Sequence, residues 1–71
     1  MKVSQLLHTM DRDDCISIDD MNVPIDRNRI YNGPVRGIKK DDPINKMHVC
    51  CISAADGKIN ILAEVAHVKK N

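Results

Sequence analysis

The chain has 71 residues and a mass of 8.0 kDa, enough for a single small domain over 1–71 and too little for a second lobe. Lys+Arg total 11 against 10 for Asp+Glu, so the formal net charge of +1 falls well short of the basic excess expected of a protein held to nucleic acid mainly through phosphates. Hydrophobic residues at 42% and charged residues at 30% describe a globular rather than a disordered chain.

The apolar set is unusual. Nine Ile and six Val stand against three Leu, and Tyr31 is the single aromatic residue. Branching at Cβ restricts χ1 and suits the pleated surface of a sheet. Nine of the ten acids are Asp, which competes with helical backbone bonding, so the balance predicts a mostly β or α+β domain. Cys15, Cys50 and Cys51 are odd in number and two are adjacent, which gives neither a disulfide framework nor a C-x-x-C site. That usage suits a reducing cytoplasm. The first residues carry one positive charge and no apolar stretch after it, and the longest apolar run is Val49 to Ile52, so neither secretion nor membrane insertion is expected.

In chain order, Val3, Leu6, Leu7 and Met10 fall on one face of a short helix, with Ser4 placed to cap it. Such a helix cannot stand alone in water and must pack on something. After the polar turn Asp11–Asp14, Cys15 to Asp19 alternates with period two and predicts a half-buried strand with Ile16 and Ile18 on one face. Asn22 to Tyr31, interrupted by Pro24, reads as extended, irregular and at an edge, and Asn32-Gly33-Pro34 reads as a turn. Asp42 as cap and Pro43 at the first helical position predict a connector with a turn of helix. Met47 to Ala54 and Lys58 to Val68 flank Asp56-Gly57, the pair favoured in two-residue type I′ hairpins.

That turn sets a register. Ala54 should oppose Ile59, Ile52 should oppose Ile61, Cys50 should oppose Ala63 and His48 should oppose Val65, which makes an apolar face and places Cys50 in the core. The opposite face pairs Ser53 with Asn60, Cys51 with Leu62 and Val49 with Glu64. Its apolar half, Val49, Cys51 and Leu62, is a candidate homodimer face, with an edge strand as the other route.

The near-zero total conceals two opposed blocks. Residues 11–26 carry a net charge of −5 and residues 27–40 a net charge of +5. Cross-strand pairing would neutralise them, whereas segregation would leave a surface field that steers a partner of opposite sign.

No motif names a reaction. Asp11-Arg12-Asp13 begins like an EF-hand loop, but Ile16 stands where Gly is required and Asn22 where a bidentate Glu belongs. Residues adjacent in a strand point to opposite faces, so Cys50 and Cys51 are not expected to share a metal. His8, His48 and His67 form no metal-ligand spacing, and Gly33, Gly37 and Gly57 form no phosphate loop. A non-enzymatic protein without metal or cofactor is expected. For nucleic acid, Arg27, Arg29, Arg36, Lys39 and Lys40 offer phosphate contacts, and Tyr31 offers one stacking ring where single-strand binders usually present several.

Lys2-Val3-Ser4-Gln5-Leu6-Leu7, the Asp-flanked strand around Ile16 and Ile18, Ile30-Tyr31-Asn32-Gly33 and the run Ile59 to Val65 together resemble small proteins encoded by bacteriophages and integrative elements. The likeness spans most of the chain through short hydrophobic patterns. It implies a short leading helix followed by a curled antiparallel sheet, and no catalytic residue. Such elements carry compact inhibitors of host defence, anti-CRISPR proteins among them, many with an acidic face that imitates phosphate.

The expectation is therefore an α+β domain, a short N-terminal helix on a small curved antiparallel sheet ending in a β-hairpin. Its expected role is to inhibit a host defence nuclease, with Asp13, Asp14, Asp19 and Asp20 engaging an Arg/Lys-rich site. The alternative is nucleic-acid binding through Arg27, Arg29, Arg36, Lys39 and Lys40.

Overall fold

The computed structural model describes residues 1–65, so the expectations for His67 and for a strand reaching Val68 lie outside the described residues. Its elements are helix α1 (Val3–Leu7) and strands β1 (Cys15–Asp20), β2 (Arg29–Pro34), β3 (His48–Ala55) and β4 (Lys58–Glu64), with 3₁₀ turns at Val35–Gly37 and Pro43–Lys46. The strand order is β2-β1-β4-β3. The α+β class agrees with the sequence, but the sheet is mixed rather than antiparallel, because β1 and β4 run parallel in the centre. Both outer pairs, β1 with β2 and β3 with β4, are antiparallel.

The helix is shorter than the periodic pattern, and its cap is displaced. Lys2, not Ser4, is the N-cap residue, and its backbone N–H donates to Gln5 Oε1 at 2.8 Å. Val3, Leu6 and Leu7 are buried with Ile16, Ile18, Val35, Met47, Ile61 and Ala63 in one cluster. Five residues have no helical stability of their own, so α1 exists because those three side chains lie on the sheet. Its entry is fixed from outside by Val3 N–H donating to Met47 O at 2.9 Å.

Strand β1 is central and is buried on both faces at its middle. Ile16 and Ile18 are fully buried as expected, but so is Ser17. Its hydroxyl bonds Asn60 Oδ1 at 2.5 Å, and Asn32, Ser17, Asn60 and Ser53 form a polar row across all four strands on the face away from α1. A serine is tolerated at that position because its hydroxyl is satisfied.

Asn32-Gly33-Pro34 is the end of β2, not a turn. Pro34 is tolerated there because β2 is an edge strand and Pro34 is its last residue. Tyr31 packs over the following 3₁₀ turn, where its hydroxyl donates to Pro34 O at 2.5 Å. A Cβ on Gly37 would lie 2.1 Å from that hydroxyl oxygen. Gly37→Ala should therefore expel the Tyr31 ring and lower stability by about 1–3 kcal/mol, read as a shifted urea midpoint.

The hairpin follows the sequence at its tip and departs from it at its base. Asp56 and Gly57 both have positive φ, 54° and 75°, which is the type I′ turn, and Ala54↔Ile59, Ser53↔Asn60, Ile52↔Ile61 and Cys51↔Leu62 pair as expected. A register shift then intervenes between Val49 and Cys51, so Val49 opposes Ala63 and His48 opposes Glu64. Cys50 is the extra residue of this bulge. It is exposed rather than in the core, and Val49 packs on the core in its place. The face expected to join Val49, Cys51 and Leu62 is thereby divided, since only Cys51 and Leu62 remain neighbours on it.

The bulge sets Cys50 Sγ 3.1 Å from Met21 Sδ. Lost hydration at the thiol, then the Glu64 carboxylate and then Cys51, all push the Cys50 pKa above its ordinary value. Replacing Glu64 by Gln removes a charge that opposes the thiolate. Alkylation of Cys50 by iodoacetamide at mildly alkaline pH should then run severalfold faster, as followed by peptide mass spectrometry.

Candidate phosphate-binding groove

The two charge blocks neither fully pair nor fully separate. Arg29 Nε meets Asp19 Oδ1 at 2.5 Å across the β1–β2 ladder, and Arg36 pairs with Asp13. Each pair joins one acid of 11–26 to one base of 27–40, and both are solvent-exposed, so each contributes at most about 1 kcal/mol. Their effect is on the field rather than on stability.

Asp13, Asp14, Asp19 and Asp20 do not gather into one cluster. Asp13 and Asp14 sit in the turn before β1, whereas Asp19 and Asp20 end it, roughly 17 Å away at the rise of an extended strand. Asp13 and Asp19 are held by arginines. The carboxylate of Asp14 accepts from Asp11 N–H at 3.0 Å, and that of Asp20 accepts from Asn22 N–H at 2.9 Å, which fixes the turns on either side of β1.

The basic residues behave differently. Arg36 N–H donates to Arg12 O at 2.9 Å, and Val35 N–H donates to Asp14 O at 2.9 Å, which lays the first 3₁₀ turn against the segment after α1. Asp42 Oδ1 accepts from Ile44 N–H at 2.9 Å, so Asp42 and Pro43 start the second 3₁₀ turn as expected. Asn45 Nδ2 donates to Lys39 O at 2.7 Å and to Lys40 O at 3.2 Å, folding the lysine pair back over that turn. With α1 tied to Met47, these bonds enclose an open groove of about 790 Å³.

Lys2, Arg12, Arg36, Lys39, Lys40 and Lys46 line this groove together with His8, Asn45 and Ser4, and Leu7, Val35 and Ile38 supply apolar walls. No carboxylate is part of the lining. Arg36 is the one lining cation that is ion-paired among the described residues. The result is a concave surface of one sign inside a chain of formal charge +1. A low-dielectric wall beneath such a surface concentrates its field and raises the local concentration of anions.

Of the five basic residues singled out from sequence, Arg36, Lys39 and Lys40 reach this groove. Arg27 lies in the loop before β2, and Arg29 is turned to Asp19 on the sheet. Lys2, Arg12 and Lys46 were missed, since nothing in local spacing links residues so far apart in the chain. Tyr31 is half-buried, its hydroxyl is bonded to Pro34 O, and it is not part of the groove lining.

A smaller apolar hollow of about 450 Å³, lined by Ile30, Pro43, Ile44, Met47 and Val65 with Asp42 and Lys46, lies beside the second 3₁₀ turn. Among the described residues no three His, Cys, Asp or Glu side chains converge so as to hold a metal ion, and no helix is long and apolar enough to cross a membrane. No family model matches the chain, and no curated protein or solved structure is detectably similar to it.

Proposed function

We propose that this chain is a non-enzymatic binding protein whose working surface is the basic groove, and that it takes the phosphate backbone of nucleic acid. One observation carries the reading: Lys2 at the N-cap of α1, Arg12 in the turn after it, and Arg36, Lys39, Lys40 and Lys46 in and between the two 3₁₀ turns converge on one groove that no carboxylate lines. Without an aromatic residue in its lining, the groove recognises phosphate charge and is tolerant of sequence. The low total charge then sets the scale of affinity but not its location.

The other expectation, inhibition of a host defence nuclease through Asp13, Asp14, Asp19 and Asp20, has less support, because these acids divide between two ends of β1 and arginines hold half of them. In the phage or mobile-element setting implied by the sequence likeness, the groove would act on nucleic acid in the host cytoplasm.

The test is fluorescence anisotropy with a labelled DNA duplex and a labelled RNA strand at low salt. Saturable binding that salt reverses supports the reading, and no change at low salt sinks it. Asp13→Asn supplies a directional check. It releases Arg36 into the groove and should tighten binding severalfold, whereas an acidic docking surface would be weakened by the same change.

A further inference from the structure

The two edges of the sheet are unlike. β2 carries Arg29, an extra residue at Ile30 where the register with β1 shifts, and a terminal Pro34, each of which discourages a further strand. β3 carries none of these beyond its bulge, and Met47 to Ala55 contains no Asp, Glu, Lys or Arg. The start of the β3 edge is already covered: Lys2 bridges His48, and Val49 N–H donates to Met1 O at 2.8 Å. From Cys51 to Ala55 the strand is exposed, with Ile52 at 47%, and among the described residues nothing pairs with its outer side.

We infer that Cys51–Ala55 is a homodimer edge, at which a second copy of this chain adds its own β3 antiparallel to the first. The two-residue turn makes Ala55 and Lys58 a hydrogen-bonded pair, so Ser53 and Cys51 also face β4 with their backbone groups. Alternation then turns the N–H and C=O of Ile52 and Ala54 outward. Around a two-fold axis at Ser53, Ile52 of one copy exchanges both bonds with Ala54 of the other. A second copy fits this edge because an uncharged strand meets no repulsion from itself, and its apolar Ile52 finds the small Ala54 opposite.

The geometry has a consequence for the groove, and this step rests on the function proposed above. Antiparallel pairing within one sheet places the axis perpendicular to it, so both copies keep α1 and the groove on the same side. A dimer would present two basic grooves to one polyanion, and the second contact becomes intramolecular.

Analytical ultracentrifugation over a concentration series tests the edge directly. The wild type should sediment as a concentration-dependent dimer. Ala54→Pro, which removes an outward N–H but no bond to β4, and Ile52→Lys, which sets like charges beside each other, should both sediment as monomers with unchanged circular dichroism. A wild type that stays monomeric at its highest concentration, or folded variants that still dimerise, would overturn the proposal. Binding to long and short duplexes separates the two ideas. Loss of the long-duplex advantage in Ala54→Pro with short-duplex affinity retained supports paired grooves, whereas a dimer that binds no duplex removes the groove's function and leaves the edge standing.

Discussion

Raising monovalent salt from about 50 to about 200 mM should weaken duplex binding roughly 500-fold, if the five groove cations without an ion pair, Lys2, Arg12, Lys39, Lys40 and Lys46, each displace one counterion. Five contacts give a slope of about −4.5 in log affinity against log salt. Replacing Lys39 and Lys40 together by Ala should reduce it to about −2.7, and the loss over the same salt range to roughly 40-fold. Replacing Lys2 and Lys46 should do as much, although neither belongs to the basic segment 27–40. Arg27→Ala lies outside the groove lining and should leave the slope unchanged. The pattern separates a groove built by folding from a basic stretch acting through its sequence alone. If Arg27 matters as much as Lys46, the groove is not the site.

This contrast also marks where the sequence stops being readable. Asp56-Gly57 announces its turn because both positions need positive φ, and the alternation on either side fixes the first pairs of the hairpin. The bulge at Cys50 leaves no such mark, since Val49, Cys50, Cys51 and Ile52 are all apolar and a slip of one residue changes no polarity pattern. Asn32-Gly33-Pro34 has the composition of a turn, yet an edge strand accepts it at its end. The parallel pairing of β1 with β4 is invisible for a different reason: Ile16, Ile18, Ile59 and Ile61 present the same face in either direction. The groove was half legible. Arg36, Lys39 and Lys40 stand in a visible cluster, but Lys2, Arg12 and Lys46 join them only through backbone bonds such as Val3 to Met47 and Arg36 to Arg12.

Ile18→Ala should remove about 2–5 kcal/mol, against about 4–10 kcal/mol expected for the whole stability of a domain of this length. Ile18 is fully buried and lies between Tyr31 on β2 and Ile61 on β4, where α1 covers the centre of the sheet. Neither neighbouring strand can close the cavity without breaking its ladder, so the loss belongs in the upper half of the range. Ile52→Ala, at the exposed end of β3, should change the stability of the monomer by less than about 0.5 kcal/mol. Urea denaturation of both variants gives the comparison, and equal losses would mean that the core is not centred on β1. The core also carries the groove. Lys2, Ser4, Leu7 and His8 belong to a helix or its flanks that persist only while Val3, Leu6 and Leu7 rest on the sheet. Ile18→Ala should therefore lose duplex binding at a lower temperature than the wild type while every groove residue is still present, measured by anisotropy during a thermal ramp.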